Sequence, residues 1–111
     1  MAVVSISLKE IEKVLTLRQA ASDIKFGWYF YDEIEQGVGK YFRSSILAEI
    51  DSLYLFAGIH PVRYGFYCML AKSFPFAIYY LIEDKIAKVV AVLDLRRDPK
   101  WIQYQLNQRR S

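Results

Sequence analysis

The chain has 111 residues, 54% of them hydrophobic and 24% charged, with a net charge of +3; that is enough for one small core and leaves no room for a second domain or a repeat array. Its longest apolar run, Ala87 to Leu93, contains Lys88 and falls far short of the roughly 20 residues of a membrane span, and Met1 to Ile6 lacks the basic region and cleavage site of a secretory signal, so a cytoplasmic protein without membrane contact is expected. One Cys68 and one His60 form neither an internal disulfide nor an ordinary His/Cys metal site, and Gly37 and Gly39 sit between helices rather than in a phosphate loop, so neither metal nor cofactor is expected.

The whole of residues 1–111 reads as a single domain, in which residues 1–12 form a leader of loose pattern with no assigned place. Lys13 to Leu17 reads as a short strand. From Gln19 the period changes: Ala20, Ile24, Trp28, Tyr31 and Ile34 recur at three- and four-residue steps, predicting a helix that ends near Gln36. Gly37-Val38-Gly39 supplies a tight connection, and Phe42, Ile46, Ile50, Leu53 and Ala57 restart the stripe, giving an αα-hairpin. Pro61 ends the helical pattern.

Arg63 to Lys72 then alternates as one strand, followed by strands at Phe76 to Glu83 and Ile86 to Leu95, with turns at Ser73-Phe74-Pro75 and Glu83-Asp84-Lys85. Asp98 followed by Pro99 signals a helix start, opening a short helix through Trp101, Ile102, Gln105 and Leu106. The expected fold is therefore α+β: an N-terminal αα-hairpin packed on one face of a small antiparallel sheet of three or four strands, with a short C-terminal helix.

Charge divides along the chain. Residues 1–55 hold 6 basic and 8 acidic side chains, whereas residues 56–111 hold 9 basic and 4 acidic. Arg96, Arg97, Lys100, Arg109 and Arg110 face only Asp98, a basic pole that suits nucleic acid or an acidic protein surface. His60, ahead of Pro61 at a helix-to-strand junction, suits a hydrogen-bond anchor better than a general base. Tyr79 and Tyr80 are adjacent on one strand and point to opposite faces, so one packs on the helices and the other lines the open face. Trp28 and Trp101 read as core or edge anchors.

The run Ser73-Phe74-Pro75-Phe76-Ala77-Ile78-Tyr79-Tyr80, followed by Val89-Val90-Ala91-Val92-Leu93-Asp94-Leu95-Arg96-Arg97-Asp98-Pro99-Lys100-Trp101, resembles the RelE/ParE family of bacterial toxins, the toxic halves of type II toxin–antitoxin pairs of the plasmid-stabilisation type. Glu35-Gln36-Gly37-Val38-Gly39, with Tyr41 and Phe42 beyond it, is similar to the helix–helix loop of that family. The ending Leu93 to Pro99 lies nearer the ParE branch, although Asp94 stands where that branch commonly has a histidine.

The resemblance implies growth arrest by binding and poisoning DNA gyrase, without enzymatic activity, and neutralisation by a cognate antitoxin. The alternatives are metal-independent mRNA cleavage on the ribosome in the manner of RelE, with Tyr79, Tyr80 or Tyr104 supplying a hydroxyl, or an inactive relative that only binds its antitoxin. It implies target contact by Arg63, Lys72, Arg96, Arg97 and Lys100 and antitoxin contact by Met69, Tyr79, Tyr80 and Trp101. The antitoxin is expected to cover a groove on the sheet, burying roughly 1,600 Å² or more.

Overall fold

The computed structural model describes Glu10–Arg110; most of the leader, Met1 to Lys9, lies outside the described residues. The elements run β1 (Lys13–Thr16), α1 (Arg18–Ile34), α2 (Val38–Asp51), a single turn α3 (Leu53–Phe56), β2 (Val62–Arg63), β3 (Phe66–Leu70), β4 (Phe76–Glu83), β5 (Ile86–Asp94) and α4 (Pro99–Gln108). They build one sheet of order β1-β5-β4-β3-β2. In it β1 runs parallel to β5, while the other neighbours are antiparallel.

This architecture corrects the expected fold. The sheet has five strands and is mixed, and the paired helices α1 and α2 occupy the middle of the topology, after a strand that belongs to the sheet. Because β1 pairs with β5 at one edge, the helices carry the chain across the sheet from β1 to β2 at the opposite edge rather than forming an N-terminal layer added to a meander. The strand expected over Arg63 to Lys72 is itself two strands. Tyr64 (φ 55°) and Gly65 (φ 84°) form a tight left-handed turn between β2 and β3, the conformation that two-residue hairpin loops require. A second such turn, Asp84 (φ 52°) and Lys85 (φ 65°), joins β4 to β5.

The sheet separates two cores. On one face, Ile24 of α1, Phe42 and Ile46 of α2 and Leu53 of α3 pack with Ile78, Tyr80, Val89 and Val92. Gly27 lets Phe42 reach α1, since a Cβ there would meet the Phe42 ring, and Gly39 is equally confined by the Trp28 backbone. Asp32 Oδ1 accepts from the N–H groups of Gly37 (2.8 Å) and Gly39 (3.3 Å), which fixes the connection between the two helices. On the other face, Ile102 and Leu106 of α4 cover Phe66, Cys68, Tyr79 and Leu93.

A bulge decides how β5 divides itself between these cores. Tyr79 pairs with Ala91 and Tyr80 with Val89, which leaves Val90 as an extra residue. The insertion reverses the alternation. Val89 belongs to the α1–α2 core, and Val90 and Ala91 both turn toward α4.

Candidate functional site

The motif that ends β5 folds into a branched junction. Asp94, the last strand residue, accepts at Oδ1 from the backbone N–H and Nε of Arg96, both at 2.9 Å, and at Oδ2 from Arg96 Nη2 at 2.7 Å. That fork holds the Asp94 carboxyl below the ordinary carboxylate range. Arg96 also donates to Tyr31 Oη (3.2 Å) and lies 5.9 Å from the Phe30 ring centre, so its side chain returns to α1. Arg97 goes the other way: its guanidinium stacks 3.8 Å over Trp101 of α4. Asp98 caps α4 by accepting from the Lys100 N–H at 2.8 Å, with Pro99 in the first turn as the sequence predicts.

Beside this junction, α1 and α4 flank a groove of about 500 Å³ along β5, with Phe26 and Phe30 on one wall and Trp101 on the other. One end of the groove is closed by an ion pair that local sequence pattern does not reveal. Asp23 of α1 and Arg109, just past α4, bond through Nη1–Oδ2 at 2.5 Å and Nη2–Oδ1 at 3.0 Å, with side chains 12% and 9% exposed. Each also holds the β5 backbone: Asp23 Oδ2 accepts from the Val92 N–H (2.9 Å) and Arg109 Nη1 donates to the Val90 carbonyl (3.1 Å). Burial pushes the Asp23 carboxyl up despite its arginine partner.

Arg110 is likewise used internally. It donates to the Tyr64 carbonyl and lies 4.9 Å from the Phe66 ring centre, and a Cβ at Gly65 would strike its guanidinium. The basic pole expected over Arg96 to Arg110 is therefore partly consumed: Arg96 and Arg109 have carboxylate partners, and Arg110 clamps the β2–β3 turn.

The residues expected to contact the target fall in separate places. Arg63, on the short edge strand β2, sits at the rim of a second hollow of about 350 Å³ whose lining includes Tyr79, Cys68, Leu95 and Pro99. Arg97 and Lys100 lie at the β5–α4 junction, with Arg96 beside them. Lys72 lies on the β3–β4 turn, its backbone N–H bonded to Glu49 of α2 at 2.7 Å.

Of the residues expected at an antitoxin surface, Met69, Tyr79 and Tyr80 are buried, and only Trp101 is partly exposed. The face expected to be open beside Tyr79 is occupied by α4. Tyr79 and Tyr80 do take opposite faces. Burial pushes the Tyr79 hydroxyl up and the Tyr80 hydroxyl up to about 12, so both stay neutral hydrogen-bonding groups near pH 7. Tyr80 Oη accepts from the Gly58 N–H (2.9 Å) and lies 2.5 Å from His60 Nδ1. His60 thus serves as the hydrogen-bond anchor suggested by its position before Pro61, and burial lowers its pKa. This pair belongs to the α1–α3 side of the sheet, whereas the Arg63 hollow belongs to the α4 side.

No protein-family profile and no curated protein matches the sequence. A chain from a solved structure described as "Chromosomal ParDE TA system from P. aeruginosa" shares the fold, with a TM-score of 0.68 at 14% identity over 78% of this chain and 97% of that one. Among the described residues, no helix is long and apolar enough to cross a membrane.

Proposed function

We propose that this protein is the toxin of a two-component toxin–antitoxin pair, acting in the cytoplasm by binding DNA gyrase and neutralised by an antitoxin protein. The observation that carries the reading is a fold shared with nearly the full length of a chain from a ParDE system, joined to the Leu93 to Pro99 ending at the end of β5. The junction supports inhibition by contact. Arg97 and Lys100 are exposed there beside Trp101, a cation and aromatic combination common in protein interfaces.

Ribonuclease chemistry has less support. It requires an acid/base pair beside the cations that would hold RNA. The one histidine, His60, is bonded to Tyr80 on the opposite side of the sheet from the Arg63 hollow, and that tyrosine is buried.

Purified protein added to a gyrase supercoiling reaction and, separately, to cell-free translation tests the proposal. Loss of supercoiling with translation intact is the expected result; blocked translation with gyrase untouched would overturn the gyrase assignment. Arg97→Ala combined with Lys100→Ala should abolish inhibition while leaving the unfolding midpoint nearly unchanged, because both side chains are on the surface.

A further inference from the structure

The lane that β1 occupies beside β5 is only half filled. β1 ends at Thr16, opposite Val89, and the Leu17 N–H gives Val89 its last bond on that side, at 2.9 Å, before the chain turns into α1. β5 continues for five more residues. Over the first of them, Asp23 and Arg109 stand in for the missing strand, one accepting from the Val92 N–H and the other donating to the Val90 carbonyl.

Beyond that plug no strand among the described residues pairs with β5 on this side. Leu95 donates its N–H to Pro75 at 2.8 Å. After the bulge, then, odd-numbered residues of β5 bond to β4 and even-numbered ones face outward. The Val92 carbonyl and the Asp94 N–H therefore look into the groove between α1 and α4. Their spacing fits a single residue of a parallel strand, which would donate to the first and accept from the second.

We infer that this groove binds an extended segment of another polypeptide, carrying acidic and aliphatic residues in alternation, as an added strand parallel to β5 in line with β1. Three observations select that occupant. The outward backbone pair calls for a strand rather than a helix or a small ligand. The wall of α1 offers Phe26, 73% exposed, and Phe30, 50% exposed, for aliphatic side chains. The charge balance calls for an acid: Asp94 is paired with Arg96 and Asp23 with Arg109, whereas the Arg97 guanidinium stacks on Trp101, feels Asp94 only as a more distant charge, and forms no ion pair among the described residues. The inference requires the fold alone and does not rest on the toxin reading.

The test is an NMR titration of the isotope-labelled protein with the blocked peptide Ac-Val-Glu-Val-Glu-Val-NH2, its Lys-for-Glu counterpart, and two N-methylated versions, one methylated on every valine nitrogen and one on every glutamate nitrogen. The expected result is saturable shifts centred on Val92, Leu93 and Asp94, with the glutamate peptide preferred over the lysine peptide by about tenfold, the size of one charge-assisted contact. Arg97→Glu should reverse that preference. An added strand bonds through alternate residues, so one N-methylated version should lose binding and the other keep it. Equal behaviour of the two methylated peptides, shifts centred elsewhere, no binding at millimolar peptide, or groove shifts that track protein concentration without peptide would each overturn the inference, the last by assigning the groove to a second copy.

Discussion

Asp23 and Asp94 place the same carboxyl in opposite electrostatic settings. For Asp23 burial outweighs Arg109 and raises the pKa, whereas for Asp94 the Arg96 fork outweighs partial burial and lowers it. The linkage signs differ accordingly. Between the ordinary value of 3.8 and its own raised value, Asp23 holds more protons folded than unfolded, so its contribution to stability falls as pH rises through that window. Asp94 contributes above 3.8, and that contribution is lost as pH falls through its lowered pKa.

Carboxyl-detected NMR should therefore find Asp23 titrating above and Asp94 below the ordinary aspartate; the reverse order would contradict the geometry. The difference in stability between wild type and Asp94→Asn should be present at neutral pH and vanish in acid. Truncation at the buried pair is the harsher change. Asp23→Ala strands the Arg109 guanidinium away from water, and chemical denaturation should show a loss of about 3–5 kcal/mol. The joint replacement Asp23→Leu with Arg109→Met should cost much less, because no buried charge is then left alone.

At the scale of elements, α4 is held at both ends: Asp98 caps its start, while Arg109 and Arg110 tie its end to α1, β5 and the β2–β3 turn. Asp98→Ala should cost about 1 kcal/mol through the lost cap. Gly65→Ala should cost more, about 1–2 kcal/mol, since it forces a side chain into a left-handed backbone and toward the Arg110 guanidinium. Thermal unfolding of both variants checks that order, and a neutral Gly65→Ala would deny the clamp.

The same elements mark how far sequence reading reached. Phe42, Ile46, Ile50, Leu53 and Ala57, read as one helical stripe, are all buried, and β4 spans Phe76–Glu83 as its apolar run predicts. The turn at Tyr64-Gly65 was hidden because Tyr64 packs on the same side as Phe66 and Cys68, so the two-residue alternation continues through it. The parallel placement of β1 and the Asp23–Arg109 pair were equally out of reach. Both depend on contacts between residues separated by most of the chain, which local periodicity does not encode. At the candidate site, the β5–α4 junction and its cap were legible. Tyr80 packs under the α1–α3 helices, as expected of one of the two adjacent tyrosines, and Met69 joins it there, whereas the face expected to be open beside Tyr79 is covered by α4, whose apolar side, Ile102 and Leu106, local pattern does not assign to a partner.

For the whole molecule, a mixed sheet with helices on both faces leaves its chemistry at the end of β5, where the junction, the half-filled lane and the α1 aromatics converge. That convergence is where the proposed contact with a target would be made. It gives the two arginines different duties: Arg96 braces the strand end against α1, and Arg97 presents its charge on Trp101. Arg96→Ala should thus reduce both stability and activity, whereas Arg97→Ala should reduce activity alone, a split that unfolding and supercoiling measurements on the same preparations would reveal.

Toxicity relieved by a partner is the core of the proposed function. Its most direct test is inducible expression of the chain in a bacterium, alone and together with the small open reading frame adjacent to its gene, scoring growth and cell shape. Growth arrest with filamentation, reversed by the neighbouring product, is the predicted result. Normal growth and shape despite abundant folded protein would contradict it.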